Sequence, residues 1–318
     1  MQRYIMRRII LSIPTLLIAT SLVFALVRTM PGDVMLTIME ESLVNEPAKD
    51  VNKLLAELGL DKPLHVQYWN FITGIVTRAD LGVTLRDKKP VLREIVRRMP
   101  VTLELAIMGQ IIALVIAIPI GVISAIKQDT FLDYFLRSLA IAKISIPSFW
   151  LATLVVTFTA IWFRWSPPVV YVTPWENPVD NLKMFFIPAL ILGLGLAGRV
   201  MRMVRTMMLE VMRQDYIRTA WSKGLRERTI IYRHALKNAL IPVVTVVGLE
   251  IVGLIGGTVV LESIFNLPGM GRFFVDALRF RDYPIIQGVN VIVSSWVVMV
   301  NLAVDISYAF LDPRIRYR

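Results

Sequence analysis

A basic segment between two apolar runs carries the residues best suited to recognition chemistry. Residues Asp215–Pro242 read DYIRTAWSKGLRERTIIYRHALKNALIP. Ala220 and Gly224 stand one helical turn apart, and the apolar side chains Trp221 and Leu225 recur at helical spacing. Since small residues allow another backbone to approach closely, the pattern predicts a short helix that docks a soluble protein. The alternative interpretation is an ordinary basic loop that holds the topology of the neighbouring segments.

Residue types needed for covalent or metal chemistry are scarce in this chain. There is no cysteine, and the two histidines, His65 and His234, are far apart in sequence, which argues against a zinc site. No Gly-Lys dipeptide is present, so there is no Walker A phosphate loop, and G-x-S-x-G and H-E-x-x-H motifs are missing. We therefore expect that the chain is not an enzyme and binds no cofactor. Any active transport would draw its energy from another subunit or from an ion gradient.

The composition places the chain in a membrane. It has 318 residues, of which 56% are hydrophobic, above the range of about 45–50% that is usual for soluble domains. A helix needs about 20 apolar residues to cross the hydrocarbon core, and spans must be helical because an open backbone cannot be hydrated there. Six runs are predicted to be spans, the fourth being short and the weakest. They are Ile9–Val27, Leu105–Ile126, Ile144–Phe163, Phe185–Gly198, Ala239–Leu261 and Tyr283–Val304.

The distribution of charge predicts the orientation of these spans. The loop Arg199–Lys237 carries ten Lys and Arg residues against three acids, so it is expected to be cytoplasmic. Six spans then place both termini in the cytoplasm. The net charge of +11 is explained by basic residues that flank the spans and attract anionic membrane lipid. We therefore expect lipid, and not nucleic acid, as a partner.

About 70 residues between the first two spans are predicted to form a small external subdomain. Residues 1–30 hold the N-terminal tail and first span, 31–100 this subdomain, and 101–318 the core with spans two to six. Within the subdomain, Glu40–Lys62 is a predicted helix that stops near Gly59. His65–Val76 is aromatic and amphipathic, and Pro90–Arg98 is predicted to lie along the membrane surface. A plain spacer is the alternative.

Ionisable residues within the predicted spans or directly at their ends are few. Glu250 lies inside the fifth span, and Lys143 and Asp305 directly flank the third and the sixth. A carboxylate near the bilayer centre should not face lipid. At 100° per residue, Gly253 and Gly257 fall within about 60° of Glu250. Glu250 is therefore expected to face helices or a translocation cavity, in substrate contact or in an interhelical hydrogen bond. The two glycines form a G-x-x-x-G motif that serves either close packing or a hinge.

Proline and glycine mark further special positions. Pro119, Pro147 and Pro188 lie inside predicted spans and are expected to kink them. A turn precedes the last span, where it is either a simple loop turn or an outer gate. The residues of this candidate gate are Pro268, Gly269 and Gly271.

Six stretches, in order, resemble the B-type membrane permease of the oligopeptide/dipeptide ABC importer family. The charged segment is similar to the EAA loop through which such permeases contact their ATPases. Arg218 replaces the leading acid and Thr219 the first Ala, as in the peptide branch, whereas Trp221 stands where a small or basic residue is expected. The stretches are RRIILSIPTLLIATSLVFALVRTMPGD at the start, PVTLEL (100–105), MLEVMRQDYIRTAWSKGL (208–225), LESIFNLPGMGR (261–272), RDYPIIQG (281–288) and VDISYAFLDPRIRY (304–317).

The resemblance implies a fold and a set of partners. Such a subunit is a six-span all-α membrane protein that pairs with a second homologous permease, two cytoplasmic ATPases and an extracytoplasmic solute-binding protein. ATP and Mg are used by the ATPases. The implied location is the prokaryotic cytoplasmic (inner) membrane. The ATPase-coupling residues in loop 205–240 would be Asp215, Tyr216, Arg218, Thr219, Ala220, Trp221, Gly224 and Leu225.

The resemblance also implies a substrate class, and the residues leave one other function open. Peptides are the expected substrate, with nickel chelates, glutathione or oligosaccharides as alternatives handled by the same branch. The other candidate function is a secondary carrier or channel that works without ATPases. The small number of ionisable residues within the spans argues against an ion-coupled carrier.

Overall fold

The computed structural model describes residues 2–29, 59, 61–168 and 170–311, with side chains between 6 and 304. Regular structure in these residues is helical, apart from one antiparallel bridge between Val83 and Pro90, which confirms the predicted all-α class. The helices are α1 (Gln2–Thr29), α2 (Leu64–Arg78), α3 (Val91–Ile126), α4 (Phe131–Ser145), α5 (Ser148–Phe163), α6 (Pro178–Met212), α7 (Asp215–Ser222), α8 (Lys237–Ile264), α9 (Met270–Phe280) and α10 (Tyr283–Leu311). A helical turn, Glu227–Thr229, and a π-helical segment, Ile230–Leu236, lead into α8.

Within the described ranges, five helical segments are long and apolar enough to cross a membrane. A sixth span results if the bent pair α4 and α5 is taken as one. The five segments are Met6–Thr29, Val91–Ile126, Pro178–Met212, Glu227–Ile264 and Tyr283–Val304.

The third predicted span, Ile144–Phe163, is not one straight helix. Helix α4 ends at Ser145 and α5 begins at Ser148, and the two helices meet at an angle of 89°. Ile146 between them has an extended backbone, with φ −90° and ψ 117°. A residue before proline is disfavoured in the helical region, so Pro147 breaks the apolar run where we expected only a kink.

The fourth predicted span, unlike the third, is part of one continuous helix. The run Phe185–Gly198 is short, yet it lies inside the 35-residue helix α6, which continues through Pro188 and past three arginines. In α6, 67% of the apolar window is buried, the largest share among the candidate spans. Neighbouring helices therefore surround it, and a centrally packed helix needs less lipid-facing apolar surface than a peripheral one.

The second span begins earlier than predicted. Pro90–Arg98 is not a separate surface helix, because α3 runs without interruption from Val91 through Pro100 to Ile126. A proline removes one backbone hydrogen bond but need not end a helix that packing holds on both sides. Here Ile95 before Pro100 and Leu105 after it are both fully buried.

The chain divides into two compact units, one from residues 1–101 and 268–299 and one from 102–267 and 300–318. The predicted core 101–318 is thus shared between them. In the first unit, the predicted aromatic helix His65–Val76 is present as α2. Tyr68 of α2 packs edge-on against Phe24 of α1 at 5.3 Å, and its hydroxyl lies 2.6 Å from Ser21 Oγ. The predicted helix Glu40–Lys62 lies almost wholly outside the described residues, although Gly59 has the left-handed φ of +66°.

Helix α9 was not predicted from the sequence, which indicated only a turn before the last span.

Asp282 lies between α9 and α10. The carboxylate of Asp282 accepts hydrogen bonds from the backbone N–H of Leu85 (2.8 Å) and of Ile285 (3.3 Å). The side chain is buried, and this burial raises the pKa of Asp282 to about 6, with a smaller contribution from the nearby charge of Asp87.

In the second unit, glycines allow α6 to approach its neighbours. A Cβ on Gly193 of α6 would lie 2.7 Å from the carbonyl oxygen of Gly109 on α3, and one on Gly198 would lie 3.0 Å from that of Ala140 on α4. Backbone atoms at these distances cannot move aside easily. Glycine is therefore required for these helices to pack as closely as they do.

Candidate translocation and coupling sites

Helix α7 presents two distinct faces. Ile217 is fully buried and Ala220 is 7% exposed, whereas Tyr216 and Trp221 are 44% and 45% exposed. The buried face packs against the π-helical segment Ile230–Leu236. The inner face thus anchors the helix, and the outer face presents two aromatic rings.

A glycine turn sets the end of α7. Gly224 has φ +70°, and the N–H of Leu225 donates to the carbonyl of Ala220 at 3.4 Å. The N–H of Gly224 donates to the carbonyl of Trp221 at 2.9 Å. This is the Schellman arrangement, in which glycine avoids the steric cost of the left-handed backbone. No atom of the described residues lies within 4 Å of the place where a Cβ of Gly224 would stand, so the surface there is open.

The two small residues of the predicted docking helix therefore have different positions. Ala220 faces inward, and Gly224 lies at the open surface. Tyr216 also ties α7 to the start of α8, because Asn238 Nδ2 donates to its hydroxyl at 2.9 Å. This hydrogen bond fixes the first turn of α7 to the start of α8.

The other predicted coupling residues lie on the exposed part of α7 or directly after it. Asp215 opens the helix, and its carboxylate lies 3.5 Å from the guanidinium of Arg218. Both side chains are more than three-quarters exposed, so this ion pair adds little stability. Thr219 Oγ1 donates to the carbonyl of Asp215 at 3.0 Å. Leu225 is 38% exposed.

A cavity of about 540 Å³ lies in the second unit, among the α4–α5 break, α6 and α8. Glu250, Gly253 and Gly257 all line it, so the structure brings the three predicted pathway residues to one place. Its remaining polar and charged lining comes from Lys143, Ser148 and Arg199.

Charged groups of both signs face each other in this cavity. Arg199 Nε donates to Glu250 Oε1 at 2.6 Å, and the Glu250 side chain is 9% exposed against 53% for Arg199. Among the described residues, neither the buried Oε2 of Glu250 nor the buried Nζ of Lys143 has a hydrogen-bond partner. One carboxylate oxygen and one ammonium are therefore available to a polar solute.

The two glycines of the G-x-x-x-G motif have different surroundings. A Cβ on Gly257 would stand 3.2 Å from a methyl group of Leu192 on α6, whereas a Cβ on Gly253 would have no atom of the described part of the chain within 4 Å. Gly257 therefore supports the contact of α8 with α6, and Gly253 forms open cavity wall. A hinge at either glycine stays a prediction.

The candidate outer-gate residues lie in the first unit and are not among the residues that line this cavity. Gly269, in extended conformation, caps the N-terminus of α9, and Gly271 is buried in its first turn. Pro268 precedes this cap. Their gating role stays a prediction.

Comparison with known proteins places this arrangement in a family. Residues 117–317 match the model of the binding-protein-dependent transport system inner membrane component, and residues 1–106 match the N-terminal model of the same transport systems. The chain belongs to this family of transport components. It is therefore a multi-pass inner-membrane transport protein of a system that depends on a binding protein.

Relatives of this transport component are similar over their whole length. The dipeptide transport system permease proteins DppB of Escherichia coli K12 and of Alkalihalophilus pseudofirmus are each 37% identical, with 100% of both chains covered. The fold is similar to that of a solved structure of the MetNI methionine ABC transporter in an inward-facing conformation, with a TM-score of 0.57 and 18% identity. The matched region covers 70% of the present chain and 97% of the MetNI chain.

A buried charge network in the transport component was missed by sequence reasoning. Asp133 of α4 has a fully buried carboxylate that accepts hydrogen bonds from Arg205 Nε (2.9 Å) and Nη2 (2.7 Å) on α6. It also accepts from Ser124 Oγ on α3 and from the backbone N–H of Asp129 at 3.1 Å. The network ties three helices together. No spacing signal reveals it, because its members lie 9 and 72 positions apart.

Arg199 was also missed as a residue that lines the cavity. Sequence reasoning placed it in the cytoplasmic loop, directly after the fourth predicted span. A signal was available, because a glutamate inside a span is expected to pair with a nearby cation.

Proposed function

We propose that this chain is the permease subunit of an ATP-driven importer and forms half of the translocation pathway for di- and oligopeptides. The other half comes from a second, homologous permease. The observation that carries the proposal is the 37% identity to dipeptide permeases, spread over the full length of both chains. The matched length includes the segments that form the cavity and the coupling helix as well as the spans.

The cavity chemistry supports a peptide substrate. A free peptide carries an ammonium and a carboxylate, together with backbone donors and acceptors. Glu250 Oε2 can accept from an ammonium, while Lys143 and Arg199 can donate to a carboxylate, and charge-assisted bonds of this kind are strong. The volume of about 540 Å³ is within the range of about 300–1,000 Å³ for small-molecule sites.

The coupling helix supports energy input from outside this chain. In the proposal, two cytoplasmic ATPases bind ATP and Mg and carry out hydrolysis, and each permease docks on one of them. The exposed rings of Tyr216 and Trp221 would enter the ATPase surface, since aromatic residues are enriched in the centres of interfaces. The present chain would be neither an enzyme nor a cofactor-binding protein.

Selectivity would come mainly from the extracytoplasmic binding protein, which delivers the peptide to the pathway.

Docking of cytoplasmic ATPases on this permease requires both termini and α7 to be cytoplasmic. Since the chain has no cysteine, labelling of Ser222→Cys and Trp175→Cys by an impermeant maleimide in intact cells tests it. Trp175 is expected to react and Ser222 to be protected, and the reverse result would contradict the orientation.

Uptake of a labelled dipeptide by the reconstituted complex tests the function. We expect uptake to require both ATP and the binding protein. Uptake driven by an ion gradient without ATPases would instead identify a secondary carrier or channel. Import of nickel chelate, glutathione or oligosaccharide without peptide would contradict the substrate class.

A matched pair of tryptophan variants tests the coupling helix. Trp221→Ala should lower stimulated ATP hydrolysis and uptake by about tenfold or more, because truncation of a central interface aromatic costs about 2 kcal/mol. Trp175→Ala is the control, since Trp175 is 88% exposed and lies outside the coupling loop. Equal activity of the two variants would contradict docking through α7.

A further inference from the structure

A second cavity, of about 480 Å³, lies in the first unit. It forms where the C-terminal end of α1, helix α2 and the first turn of α10 meet, and it shares no lining residue with the cavity at Glu250. Aromatic rings form part of its wall, and Arg28 and Gln287 supply buried polar atoms. Nothing in the proposed transport cycle uses it.

Arg28 is held by two aromatic rings. Its guanidinium carbon lies 5.1 Å from the ring centre of Phe24 and 4.9 Å from that of Tyr283. Stacking of this kind fixes the plane of the guanidinium and leaves its N–H edge for hydrogen bonds. The Nε atom is buried and has no hydrogen-bond partner among the described residues.

Gln287 adds a second donor to the same cavity. It is 5% exposed, and its buried Nε2 also lacks a hydrogen-bond partner among the described residues. A buried donor without an acceptor is costly, and here two such donors line one cavity. The complement of these two groups is a ligand rich in acceptor oxygens.

The charge of the lining favours an anion. Besides Arg28, the charged lining residues are Arg78 and Asp80, so the arginines outnumber the acid by two to one. The Oδ1 atom of Asp80 already accepts a hydrogen bond from the N–H of Gly82 at 2.8 Å. An anion can therefore enter with a net electrostatic gain.

The position of the cavity indicates where the anion comes from. Arg28 is the next-to-last residue of the apolar segment Met6–Thr29, a position at the level of lipid headgroups. Helix α2 beside it exposes Trp69 (66%) and Leu64 (58%), as is typical of helices that lie in the membrane interface.

We propose that this cavity binds the phosphate group of an anionic phospholipid headgroup. Arg28 and Gln287 donate hydrogen bonds to the phosphate oxygens, and the aromatic rings of Phe24 and Tyr283 orient Arg28. A soluble phosphate ion offers the same oxygens, so the test must separate the two sources.

Native mass spectrometry of the full-length chain, purified in detergent, measures the lipid that it retains. The probes are phosphatidylglycerol, phosphatidylcholine and inorganic phosphate. We expect the wild type to retain phosphatidylglycerol in preference to phosphatidylcholine. Arg28→Gln and Gln287→Met should each lower this retention by about tenfold or more, the effect of losing a hydrogen bond to a charged group. Arg7→Gln is the matched control, an exposed arginine near the other end of α1, and should retain the lipid.

Thermal unfolding shows whether a variant that loses the lipid is still folded. In lipid-free detergent, Gln287→Met should unfold at the same temperature as wild type or higher. It replaces a buried amide, whose Nε2 has no hydrogen-bond partner among the described residues, with an apolar group of similar shape. Phosphatidylglycerol should raise the unfolding temperature of wild type but not of this variant. A rise with inorganic phosphate alone would keep the anion site and overturn the lipid source. Equal lipid retention in wild type and both variants, or a shift by dipeptide alone, would overturn the proposal.

Discussion

Removal of Arg205 should lower the unfolding free energy of the permease, because Arg205 pairs with the buried carboxylate of Asp133. Asp133 has a side-chain exposure of 0% and takes two of its hydrogen bonds from Arg205. Arg205→Met keeps an apolar stem but leaves a buried charge uncompensated, which costs about 3–5 kcal/mol in unfolding free energy. Arg137 lies 4.0 Å from Asp133 and is 42% exposed, so it compensates only in part.

An exposed ion pair on the same helix provides the control. Lys183 Nζ lies 2.8 Å from Asp180 Oδ1, with side-chain exposures of 68% and 51%. Lys183→Met should cost no more than about 1 kcal/mol, since solvent screens exposed pairs. Chemical unfolding in one detergent, followed by helical circular dichroism, compares the two variants.

A double variant tests the reason for the loss. In Arg205→Met with Asp133→Asn the buried charge is gone, so much of the stability lost in Arg205→Met should return. The reasoning would be refuted if Arg205→Met lost no more than Lys183→Met. It would equally be refuted if the double variant were less stable than Arg205→Met alone.

The cavity, the helix packing and the turn before α10 each give a further expectation. Glu250→Gln keeps the shape but removes the charge, so dipeptide uptake should fall about tenfold with assembly unchanged. Gly193→Ala should cost about 1–3 kcal/mol in unfolding free energy, because its Cβ would lie 2.7 Å from a backbone oxygen. Gly253→Ala, with open space around it, should be neutral or slightly stabilising. Burial raises the pKa of Asp282 to about 6, so its stabilising contribution is full below a pH of about 4 and is lost as the pH rises through 6. Asp282→Asn should flatten this dependence in unfolding measured between those pH values.

Each of these expectations has an outcome that would contradict it. Wild-type uptake by Glu250→Gln would remove this residue from the pathway. Equal stability of Gly193→Ala and Gly253→Ala would contradict the close contact of α3 with α6. An unchanged pH profile in Asp282→Asn would show that another group titrates there.

Much of the fold could be predicted because it depends on properties of local segments. The length of an apolar run determines whether it can cross the hydrocarbon core, and this reasoning located the membrane segments. The helix at Asp215–Ser222 could also be predicted from a short segment, since its helical spacing and its stop at Gly224 lie within a dozen residues. Glu250 was expected to avoid lipid by the same transfer argument.

Errors arose where packing overrides local preference. Pro90–Arg98 was expected to lie along the membrane surface, yet α3 continues through Pro100, with buried residues on both sides of that proline. Pro147 was expected to kink a span, yet it ends one helix and starts another. Both residues have the same intrinsic chemistry, so only their surroundings account for the different outcomes.

The sequence by itself determined that this chain is a helical membrane protein with a short helix in a basic loop, because apolar length, charge and periodicity belong to single segments. Only the tertiary structure decided which charges meet. Arg199 lies 51 positions from Glu250, and Arg205 lies 72 from Asp133. Such pairs depend on the register and approach of whole helices, which contacts such as Gly193 on Gly109 establish. That register is a collective property of the packed chain, and no segment encodes it alone.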